Sequence, residues 1–318
     1  MRYTVALDGT GDFTSLQEAV DAVSEGSVLL VRPGEYHGRV IVNKNGLRIV
    51  GEDRDAVVIT ARGCAKDHEA EGHGQGTFLS YTLLVTGDDV TVENLTVRND
   101  AGDGRKVGQA VAVYAAGDRG VWRGCRMVAH QDTLFCGPTM PLVQQDALPY
   151  IIPAHVPAVN EPLHVDGRQY FEDCLIVGDV DFIFGSYRCW FERCELFMEA
   201  RGGWYTAANT PESSPWGFVF YDCRLTGNCE EGKAYLGRPW RAFARTVFLD
   251  CEMDEHVSPV GFVDWNEERK VTERCGEYGT RGARADQSTR HPNQKRLTAE
   301  EAAQITPDAV LNGWRPEQ

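Results

Sequence analysis

The chain lacks any apolar run near the ~20 residues needed to cross a bilayer as a helix, which argues against a helical membrane anchor. It is short of positive charge: Lys and Arg number 32 against 47 Asp and Glu, a formal net charge of -15. Nucleic-acid binding draws on basic side chains, so that class is excluded. The opening MRYTVALDGTGDFTSL has no apolar core of signal-peptide length. A cytoplasmic location is therefore expected, with secretion after removal of a leader as the alternative. No G-x-S-x-G elbow and no H-E-x-x-H helix occurs, so neither a serine hydrolase nor a zinc hydrolase is signalled. CWFERC, with Cys189 and Cys194, has no recognised zinc spacing. His68 and His73, in DHEAEGHGQG, read as part of a solvated loop.

The 318 residues include 33 glycines, 14 prolines and ten cysteines, a composition suited to a turn-rich β protein. Five cysteines share one local pattern, with an aromatic residue three positions before and an aliphatic one two positions after. They are Cys125 in WRGCRM, Cys174 in FEDCLI, Cys194 in FERCEL, Cys223 in FYDCRL and Cys251 in FLDCEM; VENLTV has the same shape around Leu95. The intervals are 20 to 30 residues, apart from one of 49. Repeats in this range, made of short strand-like segments, indicate a β-solenoid. Equivalent positions then stack, and the cysteines form an internal ladder of small apolar side chains rather than disulfides or metal ligands. TSLQEAVDAV, with Ser15 and Glu18, reads as an N-terminal capping helix with Leu16, Ala19, Val20 and Val23 on its apolar face. Near the other end, Thr298 with Glu301 and Thr306 with Pro307 mark two more helix starts. No internal linker is evident, so residues 1–318 read as one domain.

The ladder also serves as a ruler. Asp132, Asp181 and Arg201 each lie seven residues after a ladder cysteine. If the coils stack regularly, the three form one column with rungs ~4.8 Å apart. Two like charges so placed destabilise a sheet, which makes a plain surface ladder unattractive. Asp181 is moreover set in GDVDFIFG, among large apolar residues. Close carboxylates there have their pKa values driven apart, yielding an ionised nucleophile beside a protonated acid.

Five stretches, in order, resemble the pectinesterase family: GTFLSYT (76–82), GQAVAVY (108–114), HQDTLF (130–135), DFIFG (181–185) and LGRPW (236–240). The resemblance covers nearly the whole chain and implies an all-β, right-handed parallel β-helix with short terminal capping helices. It implies hydrolysis of methyl esters on galacturonate units of pectin or oligogalacturonides, with release of methanol. By motif, Asp181 resembles the nucleophile and Asp132 the acid that protonates methanol and then activates water. Gln131 resembles the oxyanion donor, with Gln109 assisting, and Arg238 the residue that holds Asp181 ionised. Trp240 is expected to stack on the sugar, and Thr77, Phe135 and Arg201 to contact substrate; Asp179 is read as structural. No cofactor and no metal is expected, and no partner beyond the carbohydrate; oligomeric state is left open.

Three departures stand out. Phe135 replaces a usual tyrosine, which removes a substrate hydrogen bond. A family glutamate is replaced in GEYHGRV. The interval of 49 holds a proline-rich insertion, about 137–165, expected to form an ordered lobe beside the cleft and to favour short oligomers over polymer. Competing readings on the same scaffold are a thioesterase, a pectate-type lyase or galacturonide hydrolase, and a non-catalytic carbohydrate-binding solenoid.

Overall fold

The computed structural model describes residues 1–67, 76–138 and 164–316. His68, His73 and nearly all of the proline-rich insertion lie outside them. Among the described residues the coils build three parallel sheets, of eleven, seven and nine strands, and a full coil contributes one short strand to each. Neighbours within a sheet come from successive coils, so the chain winds as a parallel β-helix.

The repeat in the sequence becomes three internal columns. Arg126, Leu175, Glu195, Arg224 and Glu252 are in register, so the cysteines immediately before them stack. All five ladder cysteines are buried and unbridged. The aromatic residues align as Trp122, Phe171, Phe191, Phe220 and Phe248. Phe191 stacks on Phe171 and Phe220 at 4.5 and 4.4 Å between ring centroids. Met127, Ile176, Leu196, Leu225 and Met253 form the aliphatic column.

The corner just before each ladder position has a cause of its own. Asn94, Gly124, Asp173, Arg193, Asp222 and Asp250 all have positive φ. Asn, Asp and Gly tolerate that conformation best, and Arg193 is the one exception. A left-handed residue turns the chain from one sheet to the next and leaves the following cysteine pointing inward.

The N-terminal helix, Leu16–Ala22, buries Leu16, Ala19 and Val20, and Ser15 accepts the Glu18 N–H. At the C-terminus Thr298 and Glu301 complete a reciprocal capping box, and Pro307 opens a second short helix behind Thr306. These segments also cover a flank. Val310, Leu311 and Ile305 pack with Tyr170, Trp190 and Val219 on the outer face of the eleven-stranded sheet. A separate apolar cluster forms on the outer face of the seven-stranded sheet, from Phe78, Tyr81, Leu84, Tyr114, Phe135 and Phe184. The second cluster carries the candidate site.

Candidate active site

Strands Leu134–Cys136 and Ile183–Gly185 are neighbours in the seven-stranded sheet, with Leu134 opposite Ile183. Asp132 and Asp181 each precede that pair by two residues and so occupy equivalent positions in successive coils. Both have positive φ, 66° and 51°, and both are buried, with 7% and 6% of their surface exposed. The Asp132 N–H donates to the Val180 carbonyl at 3.0 Å, tying the two turns together. Gly185 closes the GDVDFIFG stretch at φ 127°, where a Cβ would meet the Cys136 carbonyl oxygen at 2.1 Å. The glycine therefore lets the two site-bearing strands approach.

The arginine beside Asp181 is Arg238. Its Nε and Nη2 donate to the two carboxylate oxygens of Asp181 at 2.9 and 2.7 Å. Gly237, just before it, could carry no Cβ, which would fall 2.0 Å from Thr206 Oγ1. The Arg238 N–H donates to the Thr206 carbonyl at 3.0 Å, so backbone and side chain are both fixed.

Burial raises both carboxyls, but unequally. Asp181 is pushed up by desolvation and pulled back by Arg238. Asp132 is driven well above the usual carboxylate range, by desolvation first and then by the charge of Asp181, with Arg238 acting against it from further away. The proton of the pair therefore rests on Asp132, and Asp181 is the group held ionised.

Gln131 precedes Asp132, and its side chain acts, as a minor influence, to lower the Asp132 pKa. Gln109 lies on the adjacent coil, where the Ala110 N–H donates to the Gln131 carbonyl at 3.0 Å. Both glutamines are half-buried. Thr77 opens a single 3₁₀ turn, Thr77–Leu79, above the aromatic cluster. Trp240 is half-buried, its ring tilted against Phe184 at 6.0 Å.

Two expected contacts are corrected. Arg201 does not stack over Asp181. Thr206, not a residue nearer the turn, is opposite Ile183, so Trp204 occupies the rung next to Asp181. The path from Met198 to Thr206 is three residues longer than its counterpart from Gly178 to Ile183, because strand Gly203–Ala208 starts three residues ahead of the pairing. Arg201 instead lies 3.8 Å from Asp179. Phe135 is 1% exposed, packed edge-on against Tyr114 and Phe78 at 4.7 and 5.0 Å. It has no face left for a sugar and supports the floor of the cleft from below.

Asp179 belongs to a small charged group. It is 2% exposed; one oxygen accepts the Val180 N–H at 2.6 Å, and the other lies 3.9 Å from His130 Nδ1. His130 Nδ1 is 2.5 Å from Glu199, which raises its pKa. The ligand atoms of His130, Asp179 and Glu199 lie within 4.8 Å of one another. Arg201 and His130 both approach the Asp179 carboxylate, and burial raises the Asp179 pKa against the pull of Arg201.

A parallel β-helix with a buried, arginine-clamped carboxylate pair on the outer face of one sheet defines a carboxylate-dependent, β-helical hydrolase site. The pectinesterase family model matches residues 2–139 and 152–313, and the chain belongs to that family. It is 32% identical to pectinesterase 31 of Arabidopsis thaliana over 99% of this chain and 92% of that protein. The carrot pectin methylesterase structure superposes with a TM-score of 0.81 at 27% identity, covering 98% of this chain and 93% of that one. A pectin methylesterase in complex with a hexasaccharide gives 0.78 at 27% identity, covering 99% and 98%. Other relatives are longer: the chain spans about half of a probable pectinesterase/pectinesterase inhibitor from Arabidopsis thaliana, 53% of its length.

Proposed function

We propose that this protein is a pectin methylesterase, which removes methyl esters from galacturonate units of pectin or oligogalacturonides and releases methanol. The observation that carries the reading is the unequal carboxylate pair: Asp181 held ionised by a bidentate arginine, Asp132 protonated on the next coil. Family membership and the hexasaccharide held by a neighbouring structure support a carbohydrate substrate.

The chemistry follows from the placement. The Asp181 carboxylate attacks the ester carbonyl carbon, and the carbonyl oxygen becomes an oxyanion beside the Gln131 and Gln109 amides. Donors aimed at that charge contribute roughly 3 kcal/mol each. As the tetrahedral species collapses, the bond to methoxide breaks and Asp132 gives its proton to the departing oxygen. Methanol leaves an anhydride between Asp181 and the sugar acid. Asp132, now a carboxylate, takes a proton from water, whose oxygen attacks the sugar acyl carbon. The sugar carboxyl is released, Asp181 regains its charge and Asp132 its proton. Arg201 and Thr77 are suited by their chemistry to contact the polar groups of the chain, with Trp240 as the stacking face.

The test is methanol release from methylated pectin, measured together with polymer length by size exclusion. Methanol with an unshortened polymer is expected. Shortened chains without methanol would instead establish a lyase or glycoside hydrolase.

A further inference from the structure

Asp181 owes its charge to Arg238, and Arg238 is itself held in an unusual way. Its guanidinium carbon lies 3.8 Å from the ring centroid of Trp204 and 4.0 Å from that of Trp265. Trp204 comes from the strand next to the one that follows Asp181, and Trp265 from a loop far along the chain. Two indole rings from separate segments thus meet one guanidinium, and the same guanidinium makes both of its parallel hydrogen bonds to Asp181. A planar cation suits this arrangement, because its faces meet aromatic rings while its edge meets a carboxylate.

Trp204 has features that set it apart from an ordinary core residue. It occupies the rung next to Asp181, two residues before Thr206, which pairs with Ile183. Its ring stacks on Tyr235 at 6.0 Å with planes 21° apart, which fixes its tilt. Its Nε1–H is buried and has no acceptor among the described residues. An orphaned buried donor is unfavourable and calls for an explanation. The ring sits where the guanidinium needs a face, not where the indole N–H finds a partner.

We propose that Trp204 is a positioning residue for the reaction: with Trp265 it clamps the Arg238 guanidinium in the plane of the Asp181 carboxylate. The clamp stops the arginine from swinging towards solvent when substrate enters. It also shields one side of the ion pair from water, which strengthens the hold on Asp181. This rests on Asp181 being the nucleophile.

The test compares Trp204→Leu, Trp204→Phe and Trp265→Leu with the parent enzyme, each first shown to melt cooperatively. In Trp204→Leu, kcat is expected to fall roughly 10- to 100-fold, as for a displaced reacting group. KM should move less than about threefold, because no sugar contact is removed. The acid limb of the pH profile should shift upward by about half a unit, part of the 1–3 units an adjacent arginine supplies. The sign is fixed: a looser Arg238 raises the Asp181 pKa, so more alkaline conditions are needed to ionise it. Trp204→Phe keeps an aromatic face and deletes the orphan donor, so it should restore the limb and most of kcat. If Trp204→Leu does not fold, the same upward shift in Trp265→Leu decides the matter. A rise in KM with kcat and the acid limb unmoved would overturn the proposal and make Trp204 a sugar platform. Unchanged kinetics in a folded Leu variant would overturn it too. An unshifted limb alongside an inactive Asp181→Asn removes only the clamp, whereas an active Asp181→Asn removes the nucleophile reading itself.

Discussion

Asp132 and Asp181 stand at equivalent positions of successive coils, with the same left-handed backbone and nearly the same burial. Their protons differ because Arg238 bonds only to Asp181. The pairing of the two aspartates was legible in the sequence, through their common distance from the ladder cysteines. The arginine was not legible by that route. Counting from Cys194 led to Arg201, because a ruler of residues assumes equal spacing and the path from Met198 to Thr206 is three residues longer than that from Gly178 to Ile183. Arg238 could be named only from its motif, since it reaches Asp181 from a later coil. A buried acid with a raised pKa also carries a stability cost whose sign can be worked out. The folded state holds the Asp132 proton more tightly than the unfolded chain, so stability falls as pH rises from the unfolded pKa through the folded one. Asp132→Asn removes that dependence. It should lower methanol release by roughly 10²- to 10⁴-fold, the contribution of a positioned acid-base group. At neutral pH it should also be more stable than the parent, with the advantage shrinking towards pH 4; urea titrations at several pH values check this. A variant less stable than the parent at every pH would show that Asp132 is not held protonated.

At the scale of the element, the columns inside the tube are what the sequence displayed most openly. Aromatic, cysteine and aliphatic positions recur because each must fill the same place in each coil. The positive-φ corners were equally present as Asn, Gly and Asp before Leu95 and four of the five ladder cysteines, yet Arg193 broke the pattern and hid it. Phe135 was misplaced for a related reason. Its motif marks a position beside the substrate, but a phenylalanine there sinks into the ring cluster instead of presenting a polar edge. Phe191 offers a clean test of the columns, being fully buried between Phe171 and Phe220. Phe191→Ala should cost about 3–5 kcal/mol, the range for truncating a core phenylalanine. The denaturation midpoint measures it. A loss below about 1 kcal/mol, the level of an ordinary surface change, would contradict a continuous internal stack.

Across the whole molecule, a three-sided tube offers three outer faces, and the sequence does not say which one works. The described structure separates them physically. The eleven-stranded face is covered by the C-terminal segments through Val310 and Leu311. The seven-stranded face carries the aromatic cluster, and Trp240 and Trp265 pack at its edge. Pro138, the last described residue before the insertion, accepts the Tyr114 hydroxyl at its carbonyl at 2.8 Å. Everything assigned to catalysis converges on the seven-stranded face, and Asp181 is its centre. The most direct measurement is methanol release by Asp181→Asn, which keeps the side chain's shape and removes the attacking charge. A folded variant with turnover reduced by several orders of magnitude is the predicted result, since triad-like nucleophiles lose about 10⁶-fold on removal. Turnover close to that of the parent, from protein verified by mass to carry asparagine at 181, would contradict the account.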